Sequence, residues 1–173
     1  KGGRGVGKTD FLLYCAQEER RLHPEESKHS LYVNFNDFYF TEHSLVELAG
    51  QFVAAGGKRL LVDQAFKDPN WSRELSQCYY RYPNLHIVFI ASSVMRLVED
   101  NKDIGSIVRP YNLRGFSFRE YLNITLGLNL PVYSLEDILK HHVEIAQQIC
   151  QIIKPLQYFD DYLHHGYYPH FLD

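Results

Sequence analysis

Apolar and polar positions along the chain change period several times, and each change predicts an element. From Lys8 to about Leu22, Leu12, Cys15 and Ala16 share one face of a predicted helix, which His23-Pro24 ends. From Ser30 to Asn36 the period drops to two. Leu31, Val33 and Phe35 alternate with Tyr32 and Asn34, as in a strand that runs into the polar turn Asn36-Asp37. Leu45, Leu48, Ala49, Phe52 and Val53 return to helical spacing, with Thr41 or Ser44 as the cap and Gly56-Gly57 as the stop. Residues 59–63 form a short apolar strand, Leu60-Leu61-Val62, that ends in Asp63. A helix from Trp71 to about Tyr82 is ended by Pro83. Leu85 to Ile90 is then the most strongly apolar strand, finishing in Ala91-Ser92-Ser93.

Beyond it the pattern predicts a short helix at Val94–Val98 and a last strand at Ile107–Leu113. Pro110 cannot donate to a ladder and so puts that strand at a sheet edge. Ser117 and Glu120 have the spacing of a capping box that opens a helix through Leu126. Ser134 to Ile153 is the longest predicted helix, with Leu135, Ile138, Leu139, Val143, Ala146, Ile149 and Ile153 along one stripe and Pro155 as its end. Another helix begins at Leu156 and finishes at Gly166. Helix and strand alternate, which is the pattern of a parallel sheet covered on both faces. Residues 1–133 read as the core, and residues 134–173 as a helical segment, a lid or the start of a further domain.

One stretch carries specific chemistry. Gly2, Gly3, Arg4, Gly5, Val6, Gly7, Lys8 and Thr9 fit G-x-x-x-x-G-K-[ST], the phosphate-binding P-loop, and apolar residues follow at once. Glycines let successive backbone N–H groups turn toward a phosphate, and the loop feeds a helix N-terminus whose partial positive charge faces it. Lys8 is placed to reach the β and γ phosphates, and Thr9 to put its hydroxyl on Mg²⁺. Asp63, an acid ending an apolar strand, occupies the Walker B position that holds the same ion. Ser92, at the end of the next strand, has the position of a sensor of the γ phosphate or attacking water, and Ser92 or Ser93 is also a candidate helix cap. Since a P-loop ordinarily follows a buried strand, that strand is expected upstream of Lys1, and the chain without it is expected to be poorly stable.

Composition sets the limits. With 173 residues, 45% hydrophobic and 23% charged, the chain is long enough to bury roughly 70% of its unfolded surface. A net charge of −3 gives no general attraction to nucleic acid or anionic lipid. Cys15, Cys78 and Cys150 are odd in number and far apart in predicted helices, favouring reduced thiols and a cytoplasmic protein. No apolar run approaches the roughly 18 residues of a membrane span. His141-His142 and His164-His165 point to different helix faces with no carboxylate constellation, so they read as solvated or partly packed. The 13 tyrosines and 11 phenylalanines read as packing and partner surface, because no basic stripe interleaves them.

Six blocks in order, GGRGVGKTDFLL, YVNFND, LLVDQAFKDPNWSREL, FIASS, LRGFSFREYLN and KPLQYF with HHGYYP, resemble the ATP-binding domain of prokaryotic AAA-family ATPases. In that family a C-terminal domain of unknown function usually follows. The resemblance implies an α/β P-loop NTPase fold of the additional-strand type, with parallel sheet order 5-1-4-3-2. Its first strand would lie before Lys1, and the strand ending at Ser92 would sit between the Walker A and Walker B strands. It also implies ATP and Mg²⁺ as ligands. The expected nucleotide-binding residues are Gly2 to Lys8 with Thr9 and Asp10. Thr9 and Asp63 are the expected Mg²⁺ residues, and Asp63, Gln64 and Ser92 the catalytic ones.

Three departures gather at the γ-phosphate end. Gln64 stands where the family usually has a water-activating glutamate, and its amide cannot accept a proton. The arginine pair often found before the last strand is replaced by Asp103-Ile104-Gly105-Ser106-Ile107, and Ile90-Ala91 replace a common Thr-Gly. A general base contributes roughly 10² to 10⁴ in rate and an arginine finger about 10³ to 10⁵, so binding is expected without strong turnover. Arg109 or Arg114 is a candidate finger for a neighbouring subunit. The expected function is therefore a slow ATPase acting on a protein partner or through self-association. The alternatives are a non-hydrolysing nucleotide switch or scaffold, and a P-loop small-molecule kinase. The expected strand order and the lack of an obvious acceptor site argue against the kinase.

Overall fold

The computed structural model describes residues 1–22, 24–92 and 101–172. The helix expected at Val94–Val98, and Ser93 with it, lie outside the described residues. The chain divides into two compact units, Lys1–Leu113 and Arg114–Asp173.

In the first unit, α1 (Lys8–Leu22), β1 (Ser30–Asn34), α2 (Leu45–Ala54), β2 (Arg59–Asp63), α3 (Trp71–Arg81) and β3 (His86–Phe89) alternate as the pattern predicts. The strands form one parallel sheet in the order β1-β2-β3, with Asn34 opposite Asp63 and Val62 opposite Phe89. β2 is central and is covered on both faces, as its unbroken apolar run requires. Leu60 and Val62 join a core with Leu45 and Ala49 of α2 and Leu75 and Cys78 of α3. Leu61 turns the other way, onto Leu12 of α1 and Ile90. Glu19 of α1 completes this side, pairing with Arg59 and accepting from the Ser30 hydroxyl at 2.6 Å.

Ser44 rather than Thr41 caps α2. Its side chain accepts from the Glu47 N–H, and Glu47 returns to the Ser44 N–H, while the α2 stop runs through Gly56 at φ 90°. Glu74 of α3 also accepts from the Leu45 N–H at 2.7 Å, so the start of α2 is tied to α3. Burial pushes the Cys78 thiol up to about 12, which keeps it protonated, whereas Cys150 is exposed.

Residues 107–113 correct the expected last strand, for they form no strand. Ile107 and Val108 pack on the core, but the segment's backbone bonding to the loop region is confined to its end. The Leu113 N–H donates to Lys1 O at 2.7 Å, and the Lys1 amino group to Tyr111 O. Pro110 contributes no N–H, and two bonds do not make a ladder. A parallel bridge joins Gly2 to Ser92.

The second unit contains α4 (Phe118–Leu126) and α5 (Leu135–Ile152). Capping boxes start both, Ser117 with Glu120 and Ser134 with Asp137. Tyr121, Leu122 and Leu130 form its core with Phe118, Tyr158 and Tyr162 around them. Asn123 closes the loop after α4 by accepting from the Leu130 N–H at 2.8 Å. The single stripe expected on α5 is not formed as a buried face. No residue of α5 is buried, and His141, at φ −130° and ψ 23°, breaks the helix in mid-course. The final helix is likewise irregular: a 3₁₀ turn at Pro155–Tyr158, one α segment at Phe159–Asp161 and a π turn at Tyr162–Gly166. Among the described residues no helix is long and apolar enough to cross a membrane.

Candidate functional site

The loop before α1 owes its shape to two glycines. Gly5 and Gly7 have φ of 79° and 81°, values that a side chain strongly disfavours, and they fold the backbone back on itself ahead of the helix. The first helical bond follows at once, from the Phe11 N–H to Gly7 O at 2.9 Å. Lys8 reaches back across the loop and donates to Gly3 O at 2.6 Å. Partial burial holds its ammonium below the ordinary lysine range, and the nearby Asp63 opposes that shift.

The opposite wall is the C-terminal edge of the sheet. Asp63 closes β2 and is 1% exposed. Its Oδ2 accepts from the Thr9 hydroxyl at 2.8 Å and from the Tyr32 hydroxyl at 3.0 Å. Its Oδ1 is buried and has no hydrogen-bond partner among the described residues. A buried carboxylate oxygen left without a donor is costly, and a cation resolves the deficit where a neutral group does so only in part. The residues therefore fit a divalent ion shared with the Thr9 hydroxyl. Burial raises the Tyr32 phenol above its usual value, the hydrogen bond with Asn34 opposes this and Asp63 adds to it, so Tyr32 stays a donor. The Asn34 amide in turn donates to the Tyr32 oxygen at 3.4 Å.

Between the two walls lies a cavity of about 630 Å³, within the range of small-molecule sites. Arg4, Gly5, Gly7, Lys8, Thr9 and Asp10 line it from the loop side. Asp63, Gln64 and Ser92 line it from the strand ends. Of the expected residues, three stand back from it. Gly2 is buried at its bridge to Ser92, Gly3 contributes the carbonyl held by Lys8, and Val6 is 5% exposed in the interior. Gln64 adopts the left-handed conformation at φ 57°, a strained setting for a residue with a side chain.

Sequence reasoning missed Tyr32, Asn36 and Lys67. In the sequence Tyr32 shows only as a polar-side position of an alternating strand. Yet an inward-facing tyrosine one strand over from a strand-end acid is a signal that parallel register makes readable, since Asn34 lies opposite Asp63. Asn36 and Lys67 line the cavity from the turns after β1 and β2. A turn beginning at the acid returns the fourth residue over the sheet edge, and the spacing from Asp63 to Lys67 is that signal.

A family model described as an AAA domain matches residues 1–122. No curated protein and no solved structure matches the chain.

Proposed function

The chain belongs to the AAA domain family, and from that premise we propose that it binds Mg-ATP in the loop cavity and turns it over slowly or not at all. Membership carries nucleotide-binding, ATPase-like function. The observation that carries the finer reading is the meeting of Thr9 with Asp63 at 2.8 Å, with the other Asp63 oxygen unpartnered among the described residues. Loop N–H groups and Lys8 hold the phosphates, and Thr9 and Asp63 hold Mg²⁺, which neutralises phosphate charge when bound.

The same reading takes the sheet as part of the order 5-1-4-3-2. Support comes from β1-β2-β3 as its 2-3-4 run and from the Gly2–Ser92 bridge at the loop entrance, while the fifth position has no formed strand among the described residues. We place the end of the ATP-binding unit at residue 133, since the family match runs into α4, and take 134–173 as a lid or the start of a further domain.

Gln64 limits the chemistry. It lines the cavity beside Asp63, but an amide cannot take the proton of an attacking water, and a missing general base costs roughly 10² to 10⁴ in rate. Ser92 lines the cavity where it orients a water or the γ phosphate without activating either. Gln64 also favours a second reading, a non-hydrolysing nucleotide switch. An equal conformational response to ATP and to a non-hydrolysable analogue distinguishes that reading from a slow ATPase.

Titration calorimetry tests the binding claim. Mg-ATP is expected to bind the chain, and Lys8→Ala to abolish the signal. Asp63→Asn is expected to weaken binding in Mg²⁺ but not in EDTA, because it removes the ionic ligand alone. ATP affinity that neither Lys8→Ala nor Mg²⁺ removal changes would sink the proposal.

A further inference from the structure

A lysine outside the P-loop shares its cavity. Lys67 ends the 3₁₀ turn Ala65–Lys67, which starts at the left-handed Gln64 directly after Asp63. The Lys67 N–H closes that turn onto Gln64 O at 3.0 Å, and the side chain lines the cavity together with Lys8. Its ammonium donates to Asn36 Oδ1. Asn36 is itself anchored, for its N–H donates to Asn34 Oδ1 at 2.9 Å. Asn34 donates to Tyr32 and Tyr32 to Asp63, so one continuous set of polar contacts runs from the Asp63 carboxylate to the Lys67 ammonium.

Charge gives this arrangement a purpose. Among the described residues no carboxylate pairs with Lys67. Its one partner among them is a neutral amide, which leaves the charge uncompensated there and two of its three donors unused by those residues. The cavity holds three cationic side chains, Arg4, Lys8 and Lys67, against the carboxylates Asp10 and Asp63. An ordinary surface lysine moves freely in water, whereas this one is braced on a cavity wall one short turn from the Mg²⁺ acid. In P-loop sites that edge faces the β–γ end of the nucleotide.

Resting on the Mg-ATP reading above, we propose that Lys67 is a second phosphate-contacting residue. It meets the terminal phosphate of a nucleoside triphosphate from the strand side while Lys8 holds it from the loop side. It supplies in cis a positive charge at the end where Gln64 leaves the chemistry weak, and it makes the site prefer ATP to ADP. Asn36 is a positioning residue, acting through Lys67 by fixing where the ammonium lies.

The test is Mg-ATP and Mg-ADP affinity measured side by side on the 173-residue chain. Lys67→Ala is expected to weaken ATP binding about tenfold to a hundredfold, the scale of a charge-assisted hydrogen bond, and to leave ADP binding unchanged. Lys67→Arg should restore most of the ATP preference, and Asn36→Ala should lower it by less than Lys67→Ala does. Lys67 is exposed, so the melting temperature should not move. If Lys67→Ala keeps the native ATP-to-ADP ratio while Lys8→Ala loses both nucleotides, Lys67 is only a brace for its turn and the P-loop reading stands. If the unmodified chain binds neither nucleotide, both readings fall.

Discussion

In β2, Leu60, Leu61 and Val62 are 0%, 2% and 0% exposed; in α5, Leu135, Leu139 and Val143 are 73%, 71% and 52% exposed. Both elements carry clear apolar patterns, so hydrophobicity alone does not separate them. The difference is a partner on each side. β2 lies between strands, with α2 and α3 on one face and α1 on the other, and every apolar group it presents meets another. Among the described residues α5 finds cover only toward its end, where Ile153 just beyond it packs on the second unit's core, and its midpoint is broken at His141. An apolar stripe tells which side of an element is fit for burial; the neighbours decide whether burial occurs.

The largest effect expected from this contrast is in β2. Leu60→Ala should cost about 2–5 kcal/mol of stability, read as a lowered denaturant midpoint, because it opens a cavity between sheet and helices. A cost near zero would mean that the core around β2 is loosely packed. A smaller effect belongs to the start of α5. Ser134→Ala removes the side-chain half of a capping box, leaving the Ser134 N–H to donate to Asp137, and should cost about 1 kcal/mol of local helix stability, visible by hydrogen exchange near residues 135–138. This contribution depends on acid. Hydrogen bonds from Ser134 hold the Asp137 carboxyl below its usual range, so the cap is fully present above that range and is lost as pH falls through the depressed folded value. The Ser134→Ala chain should show less acid loss of helix at α5 than the unmodified chain, and an equal loss would show that the box adds nothing. The smallest effect is at Leu139. With most of its side chain in water, Leu139→Ala should change stability by no more than about 0.5 kcal/mol, and a loss comparable to that of Leu60→Ala would mean that α5 is covered in solution.

The same contrast explains what could be read in the sequence. The P-loop was legible because its glycines, Lys8 and Thr9 are adjacent in the chain and each residue type has its own chemical reason. β2 was legible because a short apolar run ending in an acid has few other uses. α4 could be placed from Ser117 and Glu120, since a capping box is wholly local. The apolar residues of segment 107–113 pack on the core, but ladder formation depends on partners that spacing does not reveal. Tyr32 and Lys67 escaped because their roles arise only when parallel register and a left-handed turn at Gln64 bring them to Asp63 and to the cavity.

Gln64 decides whether a site proposed to hold Mg-ATP firmly lacks the group that would activate water. The most direct measurement is phosphate release by the unmodified chain and by Gln64→Glu, at Mg-ATP concentrations shown by titration to saturate each. Equal saturation is expected, with negligible release by the unmodified chain and a gain of about 10² or more with glutamate in place. Robust release by the unmodified chain, or full binding with no gain from the glutamate, would contradict the proposal.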